Sequence, residues 1–345
     1  MHHRALPHLL FVLLLQMPII SVAIADAASD FYQGRTVTLY IGAEPGGGFD
    51  LYARALGRVM GRHVAGNSAI LATNMPGAGS MILGNYLAKV APRDGSAIGV
   101  VNPLLLSEPL FEGSQSMAQF RGPDMTMIGN GATAHWALLA RHSAGIDSID
   151  DLKRKDLIVG TTARTGAAYI LTHAIKKVLG LNHLKIVTGY SGIREVVGAV
   201  ERGEISGCAM DLEDVMAMKP HWLAGEDIDV VALLSPPNLM GSPIRAPSIM
   251  DFPMSEEDKQ VLNVIFASTL LSRPVIAPPE IPTARVRSLR DGFLATLNDP
   301  QFQIEAERMK ITLSPTSGQR MEDMIRATYA LPLKILAKVR AVLSD

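Results

Sequence analysis

A glycine-rich segment between a predicted strand and a predicted helix constrains the fold of this chain more than any other feature. It reads PGGGFD over residues 45–50. The apolar, β-branched run at 36–41 predicts a buried strand before it, and apolar residues at helical spacing from Leu51 predict a helix after it, with Asp50 as N-cap. Glycines at such a junction permit positive φ and leave amide N–H groups free at the positive end of the helix dipole. The pattern predicts either an anion-binding cradle or a tight turn that binds nothing.

The first residues follow the order of a secretory signal peptide. Arg4 precedes an apolar run at 9–20, and small residues follow with Ala-x-Ala patterns that place cleavage near Asp26 or Ala28. We therefore predict a signal peptide over residues 1–27 and a periplasmic mature protein. The alternative is a membrane anchor, but the apolar run is short and interrupted by polar and proline residues.

Composition excludes several classes of partner and site. The chain is 48% hydrophobic and has a formal net charge of −1, so there is no basic excess to attract nucleic acid. Cys208 is the only cysteine, which rules out an intramolecular disulfide and a zinc site built from several cysteines. The histidines lack the spacing of a helical zinc site. We expect no metal and no cofactor.

Strand-like and helix-like segments alternate along the chain, which predicts an α/β protein with mainly parallel sheets. The predicted strand–loop–helix order of the first segment recurs in the middle of the chain. There it consists of a strand over 156–160, the polar loop TTARTG over 161–166, and a helix over 167–179. A GYSG turn at 189–192 and a strand that ends at Asp211 follow. Because ligands in open α/β sheets lie beyond the carboxyl ends of the strands, the loops at these ends are candidate binding loops.

Taken together, these segments resemble the substrate-binding receptors of tripartite tricarboxylate transporters, also called Bug-type periplasmic solute-binding proteins. The similarity runs from about Phe31 to the end of the chain, and it rests on the order of several short motifs. These are PGGGFD at 45–50 followed by Ala53 and Arg54, NMPGAG at 74–79, APRDG at 91–95, GYSG at 189–192, AVERGE at 199–204, PPEIP at 278–282 and DPQF at 299–302.

The resemblance implies a type II periplasmic binding protein fold, in which two α/β lobes enclose a ligand cleft. Residues 29–130 and 236–345 would form the first lobe, and residues 131–235 the second. Such receptors bind a small organic acid and deliver it to membrane transporter subunits without chemistry. We therefore expect a monomer with a small carboxylate ligand and no enzymatic activity.

The expected ligand contacts come from loops of both lobes. Amides of the glycine loop and the hydroxyl of Thr161 would hold the carboxylate. Asp50 would cap its helix, hold a water or accept a hydrogen bond from the ligand, and Arg164 is either a carboxylate partner or a solvated loop residue. The loop at 161–166 departs from the more usual glycine-rich pattern, which leaves the ligand open. The full set of expected ligand-binding residues is Gly47, Gly48, Phe49, Asp50, Gly79, Ser80, Thr161, Arg164, Thr165, Tyr190 and Asp211.

The sequence offers two alternative functions, a serine hydrolase and a sensing subunit. A serine hydrolase would need the Gly-x-Ser-x-Gly turn, but the sequence at 189–193 reads GYSGI and lacks the final glycine. No histidine is matched to Ser191 as a base, so this alternative is disfavoured. A periplasmic sensing subunit that presents a bound solute to a signalling partner would use the same cleft, and the sequence does not separate it from a transport receptor.

Overall fold

Two β-sheets with helices packed on them make up the computed structural model, which describes residues 28–164, 166–236 and 244–344. The predicted signal peptide over residues 1–27 and the predicted ligand contact Thr165 lie outside the described residues. The α/β organisation expected from the alternation of segments is confirmed. The expectation of mainly parallel sheets is wrong: both sheets are mixed, and five of the nine pairs among the described strands are antiparallel, because two late strands and the strand after residue 135 run against their neighbours.

The strands come from the apolar, β-branched segments that the sequence marks. In chain order they are β1 (Thr36–Ile41), β2 (Ala69–Asn74), β3 (Ala97–Val100), β4 (Thr126–Asn130), β5 (Trp136–Arg141), β6 (Leu157–Gly160), β7 (Leu184–Val187), β8 (Gly207–Asp211), β9 (Ile228–Leu233), β10 (Pro274–Ala277) and β11 (Thr316–Ser317). The first sheet has the order β11-β4-β10-β3-β1-β2, and the second has the order β7-β6-β8-β5-β9.

The helices cover the faces of both sheets. Their bounds are Gly48–Met60, Met81–Lys89, Glu108–Glu112, Ala167–Leu179, Ile193–Arg202, Leu212–Met218, Glu256–Thr269, Thr283–Leu297, Pro300–Arg308, Gly318–Tyr329 and Leu333–Leu343. Among the described helices, none combines the length and the apolar character that a membrane span needs.

Strand direction decides which loops meet at the edge of the first sheet. β1 pairs in parallel with β2 and β3, so their carboxyl ends share one edge. β10 is antiparallel to β3 and to β4, which brings the amino end of β10 and the carboxyl end of β4 to that same edge. The glycine-rich loop after β1 and the residues just before β10 are therefore neighbours in space.

The same reasoning applies to the second sheet. β6 is parallel to β7 and β8, so the loops after these three strands lie at one edge. β5 is antiparallel to β8, and its amino end lies at this edge too.

Two chain segments connect the sheets and run side by side. The amide of Ala134 donates to the carbonyl of Leu270 at 3.1 Å, and the amide of Ser272 donates to the carbonyl of Ala132 at 2.9 Å. We call residues 131–135 the first crossover and residues 270–273 the second crossover. Because they are hydrogen-bonded to each other, they form one two-stranded connection between the sheets.

The apolar core of the second sheet also receives helices from late in the chain. Leu262 of the Glu256–Thr269 helix and Val339 of the Leu333–Leu343 helix lie in the same buried cluster as Leu138 of β5. The division into lobes at residues 130 and 236 stays a prediction, but burial joins these two helices to the second sheet.

Candidate functional site

The glycine-rich loop after β1 leads directly into the Gly48–Met60 helix. The N-cap of this 13-residue helix is Gly47, so the predictions that the helix starts at Leu51 and that Asp50 is its N-cap are wrong. Asp50 is instead the third helical residue. Among the three glycines of this loop, only Gly46 has a positive φ, at 82°. The helix starts early because the Asp50 carboxylate reaches back and accepts the Gly46 N–H at 2.9 Å, which closes the turn.

Asp50 holds the loop in place through further hydrogen bonds. Its carboxylate accepts from Arg54 Nε at 3.0 Å and from Asn74 Nδ2 at 2.8 Å. Asn74, at the end of β2, also donates to the carbonyl of Ala43 and accepts from Arg54 Nη2. Burial of Asp50 raises its pKa, but the hydrogen bonds from Arg54, Gly46 and Asn74 outweigh burial and lower it. The carboxylate is thus ionised and buried, and its oxygens already accept hydrogen bonds from the protein.

Three amides of the loop make no hydrogen bond to the described part of the protein. Within the described part of the chain, the N–H groups of Gly47, Gly48 and Phe49 donate to no acceptor. The two glycines are exposed and Phe49 is partly buried. Free N–H groups at the start of a helix attract anions, because the helix dipole places partial positive charge there.

Arg273, in the second crossover, lies against this loop and was missed by the sequence analysis. The centre of its guanidinium is 4.7 Å from the centre of the Phe49 ring. Its Nη2 lies 3.8 Å from the point where a Cβ at Gly48 would be. Guanidinium groups bind carboxylates well, so a cationic side chain here adds to the attraction of the helix N-terminus.

Asp211, at the end of β8, belongs to the facing edge of the second sheet. It is the N-cap of the Leu212–Met218 helix, and its carboxylate accepts the backbone N–H of His135 at 3.0 Å and of Glu213 at 3.3 Å. Burial raises the pKa of Asp211, while its hydrogen bonds and the charge of Arg273 lower it to a smaller extent. The positive charge of Arg273, which lies against the glycine-rich loop, therefore also acts on a residue of the second sheet.

Glu213 is the second acidic residue at this edge. Burial and the nearby Asp211 raise its pKa to about 7. It lines a cavity of about 440 Å³ between the Leu212–Met218 helix and residues 303–313, which comprise the end of the Pro300–Arg308 helix and the segment after it. The volume falls within the range of small-molecule pockets, which is about 300–1,000 Å³.

Thr161, directly after β6, is at the end of the strand next to β8. It is 1% exposed, and its Oγ1 has no hydrogen-bond partner within the described residues. A buried hydroxyl without a partner costs about 1–3 kcal/mol, so Thr161 is a candidate for pairing with a ligand. The ring of Tyr190 packs close to Gly160, one residue before it.

The second glycine-rich turn adopts an uncommon conformation. Ala78, Gly79 and Ser80 are all left-handed, with φ of 46°, 62° and 73°. The Ser80 hydroxyl donates to the carbonyl of Gly42 at 2.8 Å and accepts the N–H of Asn102 at 2.9 Å. Ser80 thereby ties three loops of the first sheet together, and its donor is occupied by the protein.

The remaining predicted contacts are more peripheral. Arg164 is exposed, and its guanidinium lies 5.8 Å from the centre of the Tyr169 ring. Of the predicted set, Gly48 and Phe49 lie against Arg273, and the charge of Arg273 also acts on Asp211. No cluster of three or more metal-ligating side chains occurs among the described residues.

Solved structures of solute-binding proteins share this architecture. A TctC solute-binding protein from Polaromonas, solved without ligand, matches 90% of this chain and 99% of its own with a TM-score of 0.67 and 15% identity. The periplasmic binding protein BugD matches 90% of this chain and 98% of its own with a TM-score of 0.59 and 17% identity. This chain has the fold of a periplasmic binding protein.

A third relative in structure is a protein from R. palustris solved with adipate. It matches 89% of this chain and 98% of its own, with a TM-score of 0.59 and 21% identity. No protein-family model matches the chain, and no curated protein sequence does either. The predicted resemblance to the tripartite tricarboxylate receptors is therefore confirmed at the level of the fold.

Proposed function

We propose that this protein is a periplasmic receptor that captures a small organic acid by its carboxylate and delivers it to membrane transporter subunits. The observation that carries the proposal is the set of free amides at Gly47, Gly48 and Phe49, at the start of a 13-residue helix on a sheet edge. This is a site for an anion, and the fold is one in which a solved relative holds adipate. Two lobes, one around each sheet, would close on the ligand between the two sheets.

Neither alternative gains support from a contact in the structure. Ser191, the serine of the GYSG turn, donates its hydroxyl to Glu195 at 2.7 Å and is exposed. A nucleophilic serine needs a base that removes its proton, and a surface carboxylate with a lowered pKa is a poor one. A sensing subunit would use the same cleft and is distinguished by its partner.

Ligand-dependent stabilisation tests the binding claim. The mature protein, without residues 1–27, is mixed with adipate, malate, citrate, benzoate and glutamate in separate thermal-shift assays. A ligand at 100 times its Kd adds about 2.7 kcal/mol to the free energy of unfolding, which raises Tm by several degrees. The proposal fails if none of these acids raises Tm or gives heat in calorimetry.

A transport assay separates the receptor from the sensor. In a strain without this protein, uptake of the radiolabelled ligand should fall and should return when the gene is restored. Unchanged uptake together with lost expression of a ligand-induced gene would instead favour the sensing subunit.

A further inference from the structure

The guanidinium of Arg273 has one edge without a protein partner. Its Nη1 donates to the carbonyl and to the hydroxyl of Ser272, both at 2.8 Å. Within the described part of the chain, Nε and Nη2 have no hydrogen-bond acceptor, and no carboxylate lies within salt-bridge distance of Arg273. An N–H group that is buried without an acceptor is costly, so an unfilled edge indicates a missing partner.

The shape of that edge indicates what the partner is. Nε and Nη2 of an arginine point their N–H groups in parallel, which matches the two oxygens of a carboxylate in a bidentate pair. The Nη2 end of this edge lies beside Gly48, whose amide is free. One carboxylate can therefore interact with the arginine and with the start of the helix.

The backbone of Arg273 is fixed before any ligand arrives. Its N–H donates to Asn130 Oδ1 at 2.8 Å, and its carbonyl accepts from the amide of Gly131 at 3.3 Å. Asn130 is fully buried and also donates from Nδ2 to the carbonyl of Ala132. These bonds hold Arg273 in the connection between the sheets, where hinge bending of the lobes displaces it least.

The facing edge of the second sheet carries two further polar groups. Thr161 carries a hydroxyl that is nine-tenths buried or more and has no partner within the described residues. Asp211 lies within the field of Arg273 but makes no ion pair with it. Arg273 thus carries a positive charge that no carboxylate among the described residues neutralises by direct contact.

We infer that Arg273 binds the ligand's carboxylate through its Nε–Nη2 edge, beside the amides of Gly48 and Phe49, and thereby selects anionic solutes. This inference rests on the proposed function and adds the residue that would give the receptor its charge selectivity. Nη2 is the end of this edge beside Gly48, whereas Nε is covered by neighbouring atoms, which must move aside for the second contact. Stacking of the guanidinium on Phe49 keeps its plane oriented for the bidentate contact.

Calorimetric titration with adipate tests the inference on Arg273→Met, which keeps much of the side-chain volume and removes the charge. Adipate should bind the variant roughly 10- to 100-fold more weakly, the loss expected for a hydrogen bond to a charged group. Arg273→Lys keeps the charge but cannot make the bidentate contact, so its Kd for adipate should lie between those of Arg273→Met and the wild type. Adipamide, the neutral analogue, should bind wild type and Arg273→Met equally.

Arg35→Met is the matched control, because Arg35 is an exposed arginine that also lies over an aromatic ring, that of Phe31. It makes the same change in net charge away from the cleft, and its Kd for adipate should stay within about twofold of the wild-type value.

The Tm of each variant without ligand shows whether the variant is folded. If Arg273→Met does not fold, the comparison is made with Arg273→Lys. Equal Kd for wild type and a folded Arg273 variant overturns the inference and leaves the proposed function intact. If no acid of the panel binds the wild type, the proposed function fails and the inference fails with it.

Discussion

Replacing Asp50 by asparagine should loosen the glycine-rich loop, because the carboxylate is the acceptor that closes it. The side chain of Asp50 is buried and accepts hydrogen bonds from the Gly46 amide, from Arg54 and from Asn74. An asparagine at this position has nearly the same shape but turns one acceptor oxygen into an NH₂ donor. That donor would face the N–H of Gly46 or the donors of the two side chains.

The neighbours cannot relieve this conflict by rotation. Flipping the Asn74 amide would break its bonds to the Ala43 carbonyl and to Arg54. The variant therefore loses at least one charge-assisted hydrogen bond, about 1.5–3 kcal/mol, and leaves a buried donor unpaired, about 1–3 kcal/mol. Since Arg54 is partly solvated, we expect a total loss of about 2–4 kcal/mol in the free energy of unfolding.

Urea unfolding near neutral pH measures this loss, with Asp291→Asn as the control. Asp291 is exposed in the Thr283–Leu297 helix, so its substitution should change the free energy of unfolding by less than about 0.5 kcal/mol. The pKa of Asp50 is lowered in the folded protein, so its stabilisation is fully present above the ordinary pKa of aspartate and is lost as the pH falls from there through the lower pKa of the folded state. The difference between wild type and Asp50→Asn should shrink in acid. A loss no larger than that of the control, or one that grows in acid, would refute the role given to Asp50.

Further predictions concern the cleft and its loops. Glu213→Gln should become more stable than wild type as the pH rises from about 4.5 to above 7, by about 1–2 kcal/mol, because burial raises the pKa of Glu213 to about 7 and disfavours its ionised form, while its partial solvation weakens the effect. Urea unfolding at both ends of this range checks the sign, and a variant that gains stability in acid contradicts it. Gly46→Ala should lose about 1–2 kcal/mol from its φ of 82°, whereas Gly47→Ala, with φ of −80°, should lose little; equal losses would count against the loop geometry. Ser80→Ala should lose about 1–2 kcal/mol in the same assay, since it leaves a partly buried carbonyl and amide unpaired, and a neutral result would show that water replaces the hydroxyl.

Local patterns in the sequence were sufficient to predict the glycine-rich loop and the alternation of strands and helices. The loop lies between a β-branched strand and an amphipathic helix, and the spacing of apolar residues that marks each element is visible within a few residues. The helix start was misplaced because the side chain of Asp50 closes the turn backwards, onto Gly46, instead of capping the helix ahead of it. Asn74, which completes that network, comes from a different strand.

Arg273 could not be found by searching the carboxyl ends of strands. It precedes β10, which runs antiparallel to its neighbours, so the amino end of β10 is the end that reaches the candidate site. The contact with Phe49 joins residues far apart in the sequence, and it depends on the pairing of the two crossovers. A signal was present in the lone arginine just before a buried apolar strand, but its direction in the sheet is a property of the tertiary fold.

A crystal structure of the mature protein with adipate tests the central claim most directly. Our account predicts one carboxylate between the two sheets, with its oxygens within hydrogen-bond distance of the amides of Gly48 and Phe49 and of the free edge of Arg273. It also predicts that Asp50 keeps its bonds to Gly46 and Arg54 and does not touch the ligand. Adipate bound elsewhere, or bound in the cleft with its carboxylates turned away from the glycine-rich loop, would contradict the account.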